Sequence, residues 1–130
     1  MSLVGDTDVA STLLRRHASD TLARQRVGHT VAITFVTYGE LTKWTLVRRW
    51  GLRSLEMMRT FLGEPVLPYD QHVATHWGEI QAYAQLRSRP RPADDSWIAA
   101  CCLVRELPLA TANIEDHADL AEHEGLELVH

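Results

Sequence analysis

The sequence predicts an α/β fold, a mainly parallel sheet with helices on both faces. Two patterns carry that prediction. Short apolar runs alternate with longer segments of helical spacing, the order that strand–helix–strand units require. One run, Val31–Val36 (VAITFV), is β-branched and almost continuously apolar, as suits a strand buried on both faces. The 130 residues, 45% of them hydrophobic, suffice to bury a core without disulfide or metal staples. A single domain over residues 1–130 is expected.

The elements follow in order. Leu3–Val4, just before Gly5-Asp6, reads as the first strand, and Val9–Arg16 as the helix after it. Val31–Val36 is the second strand, and Tyr38–Trp50 and Leu52–Leu62 have helical spacing. Pro65–Tyr69 is a short strand or extended piece. Gln71–Leu86 and Ser96–Leu107 are helical, and Arg87–Pro92 between them is linker-like, since proline disfavours helix just before it. Pro108–Thr111 is a strand, Ile114–His123 a helix and Leu126–Val129 a last strand. The sheet thus has roughly five strands.

Several classes are excluded. Composition rules out collagen, coiled coil and disorder, and no apolar run approaches the roughly 18 residues of a membrane span. No basic-then-apolar leader opens the sequence. Adjacent Cys101 and Cys102 form neither a disulfide framework nor a zinc spacing. A cytoplasmic setting without a membrane partner is expected.

The net charge of −4, taken alone, argues against nucleic acid. Its distribution argues otherwise. Residues 1–93 carry 12 basic and 8 acidic groups, whereas 94–130 carry 1 basic and 9 acidic. All the basic residues except Lys43 are arginine, the side chain suited to bidentate phosphate contacts.

In parallel sheets, ligands bind beyond the carboxyl ends of the strands, where helices begin. Acids recur at those junctions: Asp6 after the first strand, Glu40 after the second, Asp94 and Asp95 where a helix opens, and Asp116 after the Pro108–Thr111 strand. Each alone reads as a helix cap or a solvated charge. Thr37-Tyr38-Gly39-Glu40 fits a capping box, and Asp8 and Asp94 look most like caps. As a set, Asp6, Glu40, Asp95 and Asp116 would repel one another unless protonated or neutralised by a cation. An all-oxygen carboxylate cluster suits Mg²⁺ or Mn²⁺, which can hold a phosphate and activate water.

These residues carry a resemblance to the PIN-domain ribonucleases, in particular the VapC toxins of bacterial toxin–antitoxin pairs. Val4-Gly5-Asp6-Thr7-Asp8-Val9 resembles the family's opening motif. Ile33–Leu41 (ITFVTYGEL) resembles its second, Pro92–Ala100 (PADDSWIAA) its third, and Leu107–Asp116 (LPLATANIED) its fourth. The resemblance implies a PIN-like three-layer α/β/α sandwich and a Mg²⁺- or Mn²⁺-dependent endoribonuclease toxin. It places Asp6, Glu40, Asp95 and Asp116 on the acidic positions, with Asp6 and Asp95 as direct metal ligands. Thr7, Thr111 and Asn113 fall on supporting polar positions. It further implies an RNA substrate, a VapB-type antitoxin and a homodimer. Three departures stand out: Asp8 and Asp94 where asparagine is common, both adding negative charge at the mouth of the implied site, and His117 where phenylalanine is frequent. Asn113, Glu115 or Asp119 could stand in for Asp116.

Other features admit blander readings. His72-x-x-x-His76 with Glu79 could set three ligands on one helix face, or simply be polar surface. His17, His29, His123 and His130 read as surface. Cys101 and Cys102 read as small core residues. Trp44, Trp50, Trp77 and Trp97 suit packing more than base stacking, although Trp44 and Trp50 could serve a partner surface. Arg48, Arg49, Arg53 and Arg59, and Arg87, Arg89 and Arg91, are either solvated or contacts for RNA phosphates, with Arg48, Arg49, Arg89 and Arg91 the RNA-binding candidates. A phospho-receiver would need a late lysine that is missing. A structure-specific DNA nuclease would need insertions that do not fit. The remaining rival is a non-catalytic PIN-type regulatory or interaction module.

Overall fold

The computed structural model describes residues 2–16, 30–47 and 66–129. The expected helix Leu52–Leu62 lies outside them, as do His17, His29, Arg48, Arg49, Trp50, Arg53, Arg59 and His130. Strands β1 (Ser2–Gly5), β2 (Thr30–Ala32), β3 (Leu109–Ala110) and β4 (Leu128–Val129) form one parallel sheet in the order β2-β1-β3-β4. Helices α1 (Thr7–Arg16), α2 (Phe35–Val47), α3 (Gln71–Leu86), α4 (Ala93–Arg105) and α5 (Ile114–Glu124) flank it, giving the expected three-layer PIN-like arrangement. Leu3 pairs with Val31, Val4 with Leu109, and Leu109 with Leu128.

The described sheet has four strands, against the roughly five expected. Of the expected strand Pro65–Tyr69, Pro65 lies outside the described residues and the rest makes one parallel bridge, Leu67 to Thr34. There the Leu67 N–H donates to the Ile33 carbonyl and the Phe35 N–H to that of Leu67, both at 2.9 Å. The next donor on that side would be Tyr69, but the chain turns there into Asp70, the cap of α3, whose side chain accepts from the Val73 N–H. The second strand is also shorter than Val31–Val36. Thr34 ends it by starting a helix: its Oγ1 accepts from the Thr37 N–H at 3.4 Å and its carbonyl from Tyr38 at 3.0 Å. Helix α4 begins at Ala93, three residues ahead of the expected Ser96.

The main core joins Val4 and Leu109 of the sheet to Val73 and Ile80 of α3, Ile98–Cys102 of α4, and Leu120 and Leu126. Full burial of side chains such as Ile98 or Leu109 contributes about 1.5–3 kcal/mol each. A smaller cluster of Ala10, Ile33 and Leu41 ties α1 to α2. Trp77 stacks on Trp97 at 4.6 Å between ring centroids, and Phe35 and Tyr69 meet Trp97 edge-on at 5.8 and 5.7 Å. These indoles pack helices together, as expected of them. Cys101 and Cys102 are free and buried. Burial pushes the Cys101 thiol up to about 11 and raises that of Cys102 as well. Gly125, at φ 77°, closes α5 in the left-handed conformation and turns the chain into β4. Among the described residues no helix is long and apolar enough to cross a membrane.

An ion pair fastens the end of α3 to α5. Arg87 Nη2 donates to Asp119 Oδ2 at 2.7 Å, and Arg87 Nη1 lies 3.7 Å from Glu124. The guanidinium holds the Asp119 carboxyl below its ordinary value of 3.8. A depressed carboxyl pKa stabilises the fold above its unfolded value, and the stabilisation is lost as pH falls through the folded one. Asp119→Asn therefore lowers the urea midpoint at pH 7. The gap between variant and parent narrows below about pH 3.8, a change that denaturation followed by circular dichroism at both pH values measures.

Candidate active site

The sheet order puts β2 on one side of β1 and β3 on the other. The carboxyl end of β1 is therefore the point where the chain's path reverses, the usual ligand position in open parallel sheets. Gly5 makes the close approach there possible, since a Cβ would stand 3.1 Å from Val31 Cγ1. Asp6 follows. Its N–H donates to the Ala110 carbonyl at 3.2 Å, and its Oδ1 accepts from the Val9 N–H at 2.8 Å. Asp6 is thus the residue that caps α1, a role the sequence suggested for Asp8. Asp8 is exposed and faces the same cleft as Asp6.

Glu40 lies in the second turn of α2, not the first, because Thr34 is the cap and Thr37 is buried inside the helix. The capping box that Thr37 and Glu40 could have formed is not made. Thr7 Oγ1 instead donates to Glu40 Oε1 at 3.0 Å and lies 3.1 Å from Thr37 Oγ1. This hydroxyl pair fixes the carboxylate from beneath.

Asp94 and Asp95 open α4, whose cap position is Pro92 with no side-chain cap bond. Asp94 is therefore not the cap the sequence suggested. The turn is clamped from the side. Gln81 Nε2 donates to the Arg91 carbonyl at 3.3 Å and to Ser96 Oγ at 2.8 Å, while Ser96 Oγ donates to the Pro92 carbonyl at 3.0 Å.

These elements enclose an open cleft of about 240 Å³, lined by Asp6, Thr7, Asp8, Glu40, Trp44, Asp94, Asp95 and Ile98. Three of the four acids singled out in the sequence meet there, with Asp8 and Asp94 added. The family resemblance set both at the mouth of the site, and both line it. Asp116 does not line the cleft. It is exposed on the first turn of α5, near enough for its charge to act on Asp95. Thr111 is buried and its Oγ1 accepts from the Asn113 N–H at 3.0 Å, shaping the exit from β3. Asn113 occupies the cap position of α5, but its side chain makes no cap bond.

Burial raises the Glu40 carboxyl above its ordinary range, with Asp94, Asp95 and Asp8 adding repulsion and the Thr7 hydrogen bond opposing it. Burial also raises Asp95, where Asp116, Asp6 and Asp94 repel and His117 counters them. The donor set is all oxygen and short of positive charge, which fits a hard divalent cation. Among the described residues, no three His, Cys, Asp or Glu side chains stand close enough to form a ready metal cage. The carboxylates line one cleft without converging on one point.

Sequence reasoning missed His117, which is buried on α5 with Nε2 4.0 Å from Asp6 Oδ2. Its replacement of a common phenylalanine was the available signal. His72 and Glu79 are exposed on α3. His123 is exposed as expected. Arg89 is exposed. Arg91 reaches from the α3–α4 connection to the Asp116 carbonyl, 3.3 Å from its Nη1.

No protein-family model and no curated protein matches the sequence. Solved structures do match. VapBC2 from Rickettsia felis, bound to a DNA fragment from the promoter, superposes with a TM-score of 0.82 at 16% identity, covering 99% of this chain and 98% of that one. VapBC-5 from Mycobacterium tuberculosis, a member of the VapBC family of toxin–antitoxin systems, gives 0.73 at 26%, covering 98% and 97%. FitAcB from Neisseria gonorrhoeae gives 0.77 at 20%, covering 100% and 97%. The fold is that of the VapC-type PIN proteins, along essentially the whole chain.

Crowded carboxylates cost the metal-free protein stability. Asp95→Asn is expected to raise its melting temperature in chelator at pH 7.5 by about 3–5 °C, the shift that roughly 1 kcal/mol of relieved repulsion produces in a domain of this size. Differential scanning calorimetry in EDTA checks it.

Proposed function

We propose that this VapC-type PIN chain is the toxin of a toxin–antitoxin pair, a Mg²⁺- or Mn²⁺-dependent endoribonuclease restrained by a cognate antitoxin. One observation carries the reading: five carboxylates line a single cleft at the carboxyl end of the central strand. A non-catalytic interaction module would have no use for charges held together against their repulsion. The toxin–antitoxin character of the VapBC-5 neighbour supports the pairing with an antitoxin.

When bound, the divalent ion supplies positive charge against the scissile phosphate and eases deprotonation of the attacking water. Asp6 and Asp95 would hold it directly, with Glu40 completing the site and Asp116 acting from the rim through water. Thr7 holds Glu40 in orientation through its 3.0 Å hydrogen bond. The Gln81–Ser96 clamp sets the turn from which Asp95 projects. Thr111 fixes the bend that brings Asn113 and Asp116 to the rim. Asp8 and Asp94 add negative charge at the mouth, which favours cation entry. Arg89 and Arg91 precede Asp94 and Asp95 in the chain and would take phosphates next to the scissile bond. The acidic cleft suits an arginine of the antitoxin as its plug.

Asp6→Asn and Asp95→Asn each reduce RNA cleavage by about 100-fold or more while leaving the circular dichroism spectrum unchanged. Cleavage of labelled cellular RNA by the purified variants measures this, and full activity in both defeats the reading. Neutralising Arg89 and Arg91 together weakens RNA binding and reduces the slope of log affinity against log salt by about 0.7 per arginine lost. Filter binding across a salt series with Asp95→Asn, which cannot cut, reads that slope.

A further inference from the structure

His117 is a buried polar side chain beside Asp6 that the proposed reaction has not used. It lies on α5, 3% exposed, with Nε2 4.0 Å from Asp6 Oδ2. Its Nδ1 is buried without a hydrogen-bond partner among the described residues. A buried polar atom left unpaired lowers stability. An apolar ring of similar size would fill the same space without that cost. The imidazole's surroundings therefore favour a role for its polar edge over a role for its volume.

The other half of the argument is Asp6 itself. Its Oδ1 is already held by the Val9 N–H at 2.8 Å. The terminal torsion of an aspartate is broad and nearly two-fold, so one hydrogen bond leaves the carboxylate plane free to rock. An electrostatic partner at Oδ2 restricts that freedom, and His117 Nε2 lies 4.0 Å from that oxygen, ion-pair range and longer than a hydrogen bond. His117 also acts electrostatically on Asp95, the other proposed direct ligand.

We propose that His117 is a positioning residue that orients the Asp6 carboxylate for divalent-ion binding, from outside the ligand set. The inference rests on the nuclease reading above and adds a residue to it. Side chains that orient ligating groups typically contribute about 10–100-fold to metal affinity.

The test is Mn²⁺ binding to the full chain, followed by electron paramagnetic resonance of free and bound ion. H117F retains volume and removes the donor, H117L repeats the test with a smaller side chain, and H117Q restores an N–H near the Nε2 position. Expected are H117F and H117L proteins that melt at or above the parental temperature yet bind Mn²⁺ about 10-fold or more weakly, with H117Q recovering part of the loss. Parental affinity in H117F and H117L overturns the proposal, as does H117Q binding no better than H117F. Loss of folding in both apolar variants overturns it too, since the ring is then structural. A nitrogen-14 coupling to Mn²⁺ that His117 variants lose makes the imidazole a ligand, again contrary to the proposal. If the parental protein binds no Mn²⁺, the nuclease reading itself fails, a result distinct from all the others.

Discussion

The Asp6 carboxylate serves two masters, and much of the site's geometry follows from it. One oxygen satisfies an orphan N–H at the start of α1, so the side chain cannot swing away without uncapping a helix. The backbone is tied at the same residue to the end of β3. Asp6 is therefore fixed relative to the sheet and to the first helix at once. Glu40 and Asp95 are brought to it by other elements, through Thr7 on one side and the Gln81–Ser96 clamp on the other. A cluster of like charges needs this kind of bracing, since repulsion and desolvation both push the carboxylates apart.

The fold was largely legible because its signals are long and periodic. Helices α3 and α5 fall where their spacing puts them, and so does the parallel order of strands. What was not legible depended on short-range competition. In Val31–Val36 the apolar pattern says strand, but the Thr34 hydroxyl and carbonyl offer the backbone a helix start, and the helix wins from Phe35. Around Leu67 the pattern again says strand, yet Asp70 caps α3 three residues later and only one bridge forms among the described residues. Pattern registers burial; it does not register which local donor or acceptor is free.

The site shows the same division. The strand-to-helix rule gathers Asp6, Glu40 and Asp95 correctly because it concerns topology, not side-chain detail. Deciding which acids are caps needs the detail. Thr34 and Asp6 cap their helices, whereas Glu40, Asp8 and Asp94 do not, and only then do five carboxylates belong to one cleft. Asp116 stays at the rim because α5 turns it outward while its neighbour His117 turns inward. Helical geometry separates adjacent positions by roughly 100°, so one residue of register decides which of the two faces the acids.

Helix α4 carries both Asp95 and the two buried thiols, Cys101 and Cys102. Sulfur chemistry on this helix is silenced twice, by lack of access and by thiols held protonated. A soluble disulfide reagent can react only in moments when α4 lifts from the core. The rate of that reaction is thus a clock for the opening of the helix that presents Asp95, needing no engineered label. Whatever grips the cleft, ion or protein, should slow that clock to the extent that it holds α4 in place.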